Sequence, residues 1–195
     1  RLVDYFEHSQ IINAKDSDLD TSDMELYFRK TLPVGYVKGT DIFKAGTPIT
    51  LRTMQGDIDT KIEEDTIIII GIKGEIFLSR ENNFRNRYRT YQWAFSLKHA
   101  EYNPTVKENS TGVSIPLMQY ANVCVPTGQI KVRAKKLDHN VKLFTEWDET
   151  KYMRGHVGDY LIQRSDDNHD ITTMDGKLFE ECYAKVSDLE EGNVQ

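Results

Sequence analysis

The stretch Asp65-Thr-Ile-Ile-Ile-Ile-Gly-Ile-Lys-Gly-Glu-Ile-Phe-Leu78 decides how this 195-residue chain is read. Thr66 to Ile70 is a continuous β-branched run, the pattern of a strand buried on both faces. Gly71-Ile-Lys-Gly74 follows, and then Glu75-Ile-Phe-Leu78, so a glycine-bounded loop of four residues joins two short strands. That combination predicts a β-hairpin. The same Gly-x-x-Gly spacing clamps nucleic-acid backbone when it lies between two helices; between two strands the hairpin reading prevails.

A second stretch repeats the order of the first. Asp159-Tyr-Leu-Ile-Gln-Arg164 is followed by a polar turn over Ser165 to Asp170 and by Ile171 to Met174. Each hairpin is followed by Phe-x-x-x-Tyr, Phe84 with Tyr88 and Phe179 with Tyr183. Phe84 comes nineteen positions after Asp65 and Phe179 twenty after Asp159, so one residue added in the turn aligns them. Aromatics four apart share one face of a helical turn. The pattern predicts a hairpin closed by a short helix bearing two aromatic plugs. A strand precedes each copy, near Pro33 to Lys38 and near Lys131 to Leu137.

Outward from these hairpins the chain divides into five parts. Residues 1–24 read as a short helix over 2–13 and the acidic linker Asp16 to Asp23. Residues 25–92 form the first β module, with Pro48 to Met54 as a strand and Gln55-Gly56-Asp57 as a turn. Residues 93–128 connect the modules, with one or two helical turns expected over Trp93 to His99 and a loop over Pro104 to Gly112. Residues 129–187 form the second module, including a strand from Val141 to Trp147, and 188–195 an acidic tail. The fold class is mainly β, a β-rich α+β arrangement of two diverged hairpin or barrel-like modules with short covering helices.

Composition limits the function. Hydrophobic residues make up 38%, which is enough to build a core, and the net charge of −6 argues against a whole-molecule grip on nucleic acid or anionic lipid. Two cysteines, Cys124 and Cys182, are too few for a disulfide scaffold and point to a reducing compartment, with cytoplasm as the expected location. No apolar run has the length of a membrane span, and residues 1–14 lack the basic start and apolar centre of a signal peptide.

The segment from Thr53-Met-Gln-Gly-Asp57 through Ile70-Gly-Ile-Lys-Gly-Glu75 to Phe84 and Tyr88 resembles the C-terminal part of short proteins common in bacteriophage genomes. So does Val157-Gly-Asp-Tyr-Leu-Ile162 with Phe179 and Tyr183. That family is described by a Pro-Gly-Asp-Tyr-Gly-like signature. The second copy keeps Gly158-Asp159-Tyr160, where the first has Glu64-Asp65-Thr66; the first keeps the Gly-x-Lys-Gly-Glu turn that the second lacks. The resemblance covers about half the chain. It implies a phage or mobile-element origin and carries no activity.

Candidate chemistry is sparse. Asp166, Asn168 and Asp170 have calcium-loop spacing, but Ile171 stands sixth where glycine is needed and Lys177 twelfth where glutamate belongs. Asp16, Asp18 and Asp20 fail in the same way. None of the five histidines (8, 99, 139, 156, 169) has a partner at metal-helix spacing, and His156 and Asp159 would need the fold to bring His169 to them. The strongest functional hint is the basic, aromatic run Arg80 to Lys98. Arg80, Arg85, Arg87 and Arg89 interleave there with Tyr88, Tyr91 and Trp93, against the single acid Glu81. Guanidinium forks suit phosphate or carboxylate, and aromatics supply stacking area.

We therefore expect a non-enzymatic binding module using Arg80, Arg85, Arg87, Arg89, Tyr91 and Trp93. The partner is a host protein or a phosphorylated small molecule, with no cofactor, no metal and no membrane. Two alternatives remain: a virion or assembly protein, marked by self-association, and a metal-dependent nucleotide hydrolase, which would need Asp57, Asp59 and Asp65 to converge.

Overall fold

The computed structural model describes residues 9–16, 18–98 and 103–192, and the fold is mainly β. In chain order the strands begin with β1 (Gln10–Asn13), β2 (Glu25–Arg29), β3 (Val34–Lys38), β4 (Pro48–Thr53) and β5 (Gly56–Lys61). Next come β6 (Thr66–Ile70), β7 (Ile76–Arg80), helix α1 (Glu81–Arg87), β8 (Tyr88–Ala94), β9 (Thr105–Glu108), β10 (Ser114–Pro116) and β11 (Asn122–Pro126). The chain continues through β12 (Lys131–Lys136), β13 (Val141–Phe144), β14 (Met153–Gly155), β15 (Tyr160–Arg164) and β16 (Asp167–Met174). It ends in α2 (Gly176–Cys182), β17 (Tyr183–Lys185) and α3 (Val186–Gly192). No helix among the described residues is long and apolar enough to cross a membrane.

Two compact units result: Thr31–Gly128, and the described residues of Arg1–Lys30 taken with those of Gln129–Gln195. In the first unit, one sheet runs β7-β6-β3-β11-β8 and a second β10-β9-β4-β5. The β-branched run over Thr66–Ile70 is buried along its whole length, as its composition requires. Each isoleucine withdrawn there contributes about 1.5–3 kcal/mol of transfer free energy. The β6–β7 hairpin pairs Ile70 with Ile76 and Thr66 with Arg80, and Gly71 N–H closes it on the Glu75 carbonyl at 2.8 Å. The Glu75 carboxylate folds back into the loop and accepts the Lys73 N–H at 2.9 Å. A Cβ on Gly71 would overlap that carboxylate and push it from its place in the loop.

The second unit has a five-stranded sheet, β16-β15-β12-β2-β17, and a three-stranded one, β1-β13-β14. The Gly158-Asp159-Tyr160 motif is the entry to β15. Gly158 turns the chain at φ +92°, a conformation costly for side-chain-bearing residues. Asp159 accepts the His156 N–H at 2.9 Å, and the backbones of Gly158 and Asp159 bond Leu137 on both sides. Tyr160 then enters the core. The motif builds a turn.

The two five-stranded sheets share one wiring. In each, a hairpin (β6–β7 or β15–β16) lies beside its preceding strand (β3 or β12), and the strand after the short helix (β8 or β17) takes the far edge. The strand between comes from elsewhere in sequence: β11, which runs on into β12, and β2, which runs on into β3. The helix ends match as well. Tyr88 N–H bonds Phe84 O, and Tyr183 N–H bonds Phe179 O. Thr127 N–H then bonds Arg87 O at 2.9 Å, and Lys30 N–H bonds Cys182 O at 2.8 Å.

Five expectations change. The turn expected over Ser165 to Asp170 is short, since Asp167 to Asp170 already belong to β16, and the strand expected over Val141 to Trp147 ends at Phe144. Gln10–Asn13 is a strand paired in parallel with Val141–Phe144, so the expected helix over 2–13 does not extend there; residues 2–8 lie outside the described residues. Strand partners outweigh the loose helical spacing. Trp93 does not open a helical turn: it belongs to β8, and Phe95 N–H bonds the Ala121 carbonyl at 3.0 Å. His99 lies outside the described residues. Within 104–112, Thr105–Glu108 is a strand paired to both β4 and β10, with Val106 and Glu108 turned inward.

Candidate functional site

The basic run does not form one continuous face. Arg87 sits on the inner side of α1 at 6% exposure, next to the buried Phe84 and Tyr88. Arg85 lies on the outer side, where its Nη2 reaches Glu81 Oε1 at 2.7 Å, an i,i+4 pair. Arg80 and Arg89 are exposed at the ends of β7 and near the start of β8.

From Arg89 onward, β8 presents a defined surface. It pairs with β11 on one side, and no described strand pairs with its other side. The Thr127 N–H bond to Arg87 O fixes the antiparallel phase, so Arg89 faces its partner Val125 and the backbone groups of Thr90 point away from β11. The register with β11 shifts between Asn122 and Cys124, opposite Tyr91 to Trp93, so ring stacking rather than strict alternation places Tyr91 and Trp93 together. The Tyr91 and Trp93 rings stack at 4.8 Å, and Trp93 is 65% exposed. Of the six expected residues, Tyr91 and Trp93 come together as a stacked pair on this edge, with Arg89 earlier on the same strand.

A second feature lies in the unit that contains β12 and went undetected in the sequence. A cleft of about 620 Å³ opens above the β2–β12–β15 part of its sheet. Its floor is Ala134, buried between Glu25 of β2 and Ile162 of β15. The short alanine leaves room that Tyr27 and Tyr160 flank, with ring centroids 6.3 Å apart. Behind them, Phe179 stacks on Tyr160 at 4.0 Å and on Tyr183 at 4.6 Å, and meets Tyr27 edge-on at 4.9 Å.

Charges of both signs line this cleft. Lys135 Nζ reaches Asp23 at 3.0 Å, and Lys185 Nζ reaches Glu25 at 3.0 Å. The hydrogen bond to Glu25 is the main reason that the Lys185 ammonium is held above the ordinary lysine range. Lys136 has a looser contact, 3.9 Å from Glu180. His139 bridges Asp138 and Gln10, each at 2.6 Å, and the imidazole contact is the chief cause of the lowered Asp138 pKa. Burial, ahead of the neighbouring charges, raises the phenols of Tyr27 and Tyr160, so both stay neutral donors at physiological pH. Only the Gly-Asp-Tyr motif and the alternating strand Lys131 to Lys135 pointed toward this place in the sequence.

Other candidates resolve into structure. His156 and Asp159 form a turn contact at 3.4 Å, while His169 meets the Ala14 carbonyl at 3.0 Å. Asp59 accepts a hydrogen bond from Thr50 in the β4–β5 hairpin. Among the described residues no group of three or more His, Cys, Asp or Glu is placed to hold a metal ion. Cys124 and Cys182 are buried free thiols. Family models, curated proteins and solved structures yield no match to this chain.

Proposed function

We propose that the chain is a non-enzymatic binding module of phage or mobile-element type that docks an acidic, extended segment of a host protein along β8. One observation carries the reading: half-buried Tyr91 stacked on exposed Trp93 at an open sheet edge. An open edge offers backbone donors and acceptors to an incoming strand. Rigid aromatics supply contact area at low entropic cost, the character of interface hot spots. Arg89, Arg85 and Arg80 favour carboxylates over cations in that strand. Behind this reading stands a duplicated module, two diverged hairpin-helix copies that exchange their fourth strands; the matched wiring and helix-end hydrogen bonds support it. A phosphorylated small molecule is served less well, because Arg85 is already engaged by Glu81 and Arg87 is buried.

The test uses a photocrosslinking residue at the exposed Gln92 in host extract, with wild type and an Arg85→Glu/Arg89→Glu/Trp93→Ala variant compared. Arg87 is left intact because a buried charge reversal would unfold the unit. A partner that crosslinks to the wild type and is lost from the variant, with melting unchanged, supports the reading. A partner captured equally by both removes β8 from the account. Sedimentation of the same pair tests assembly: self-association that depends on Trp93 would favour a virion or assembly protein.

A further inference from the structure

The geometry points to the cleft over Ala134 as a site for a small zwitterion of the amino-acid or dipeptide class, separate from the protein-docking edge. Its size falls in the range of small-ligand pockets, about 300–1,000 Å³. The lining charges set the class. Three lysines and His139 are matched by Asp23, Glu25 and Asp138, so the walls alternate in sign around a polar interior. A ligand with charge of one sign only, such as a phosphomonoester, would be drawn by the lysines and repelled by three carboxylates. It would also compete with Asp23 or Glu25 for a lysine; both carboxylates are exposed, so like-charge repulsion rather than burial sets the preference. A molecule carrying an ammonium and a carboxylate can join both ion pairs and leave neither partner stranded.

The positions of the groups agree. Lys136 lies directly across from Tyr160 in the β12–β15 pairing, and its nearest carboxylate is the loose one, Glu180 at 3.9 Å. It is the ammonium most readily turned toward an incoming carboxylate. Lys185 lies across from Tyr27 and holds Glu25, the acid beside the Ala134 floor. Glu180 Oε1 now stands between Lys136 and Tyr160, accepting the Tyr160 hydroxyl at 3.4 Å. A ligand carboxylate that displaces this exposed side chain from Lys136 and Tyr160, with its ammonium toward Glu25, spans the floor. The neutral phenols of Tyr27 and Tyr160 flank the floor made by the buried Ala134 and Leu137.

The test is a titration followed by amide chemical shifts on the full chain. The probes are each of the twenty amino acids and, as single-charge controls, inorganic phosphate, butyrate and butylamine. The expected result is saturable shifts confined to 23–27, 134–139, 160 and 185 for one or more zwitterions, with affinity at least about tenfold above every control. Lys136→Ala, at an exposed side chain, should weaken that binding about tenfold or more while the free protein melts unchanged. Ala134→Val, which fills the floor without changing charge, should abolish the shifts. Phosphate or butyrate binding as tightly as the zwitterions overturns the inference, as does the absence of shifts with any amino acid. Binding that survives both substitutions places the ligand elsewhere and overturns it too.

Discussion

Strand β17 ends after three residues and runs straight into α3, which packs against β17 and β2. Strand β8 holds the same place in the other five-stranded sheet, yet it runs for seven residues and carries half-buried Tyr91 and exposed Trp93 near its end. The contrast extends to the helices. Asp175 caps α2 by accepting the Leu178 N–H at 3.1 Å, whereas Arg80 at the start of α1 makes no such side-chain bond. Phe179 lies among three other rings, Tyr27, Tyr160 and Tyr183; Phe84 has Tyr36 at 5.0 Å and Tyr88 at 5.2 Å. One wiring has thus been finished in two ways. The α2 end concentrates packing and capping and ends its edge strand after three residues in a helix, while the α1 end carries a seven-residue edge strand. Natural sheets usually blunt their edges, so a long, aromatic edge is the feature on which the proposed docking rests.

The largest expected effect falls on the aromatic plugs. Phe179→Ala removes a nearly solvent-free ring with three ring neighbours and should lower unfolding free energy by about 3–5 kcal/mol. Phe84→Ala should lie at the lower end of the same range. Urea denaturation of both variants at neutral pH measures the difference. An equal or larger loss at Phe84 would break the claim that the α2 end is the more tightly built.

Next in size is the cap. Asp175→Ala leaves the Leu178 N–H without its side-chain acceptor and should cost about 1 kcal/mol. The matching change at α1, Arg80→Ala, removes no cap and should leave helix stability nearly untouched. A thermal melt of each variant, read against the wild type, sharpens the comparison; similar losses at both positions would erase the capping difference.

Hairpin β6–β7 was legible because Thr66 to Ile70 is β-branched throughout, and Gly71 and Gly74 bound its loop. The Phe-x-x-x-Tyr pairs were legible as local spacing. The pairing of β2 with β12 was not, since Tyr27 meets Val132 across a hundred residues of chain and no local pattern encodes that register. The cleft was missed for the same reason: Glu25, Lys136, Tyr160 and Lys185 become neighbours only through sheet pairing. Arg87 was misplaced as a surface residue because charge suggests exposure, whereas the phase of α1 turns it inward beside Phe84. The strand β8 was read partly as helix because Arg89 to Ala94 carries few β-branched residues, and its neighbour β11 supplies the missing preference.

Acid should act on the unit that holds the open edge through Glu108. Its carboxylate is pulled down to about 2, first by the Thr111 hydroxyl at 2.5 Å and then by the Ser110 N–H at 2.9 Å, with the Thr111 N–H at 2.8 Å adding to them. The folded value lies below the ordinary 4.5, so the contribution is fully present above pH 4.5 and is lost as pH falls toward 2. Glu108→Gln should flatten the stability profile of the chain between those two values. A profile that keeps its full slope in the variant would assign the acid sensitivity to other carboxylates.

The smallest change in stability is expected where the proposed function is concentrated. Trp93 is exposed at an edge, so Trp93→Ala should alter unfolding free energy by no more than about 0.5 kcal/mol. Its fluorescence gives an independent reading. The other tryptophan, Trp147, is half-buried, so the solvated indole of Trp93 supplies the longer-wavelength part of the emission. Deleting Trp93 should move the emission maximum to shorter wavelength while the melting curve stays in place. If instead the variant is destabilised by several kcal/mol, Trp93 is packed in solution and β8 is a closed edge. The argument for a partner at β8 would then lose its physical ground.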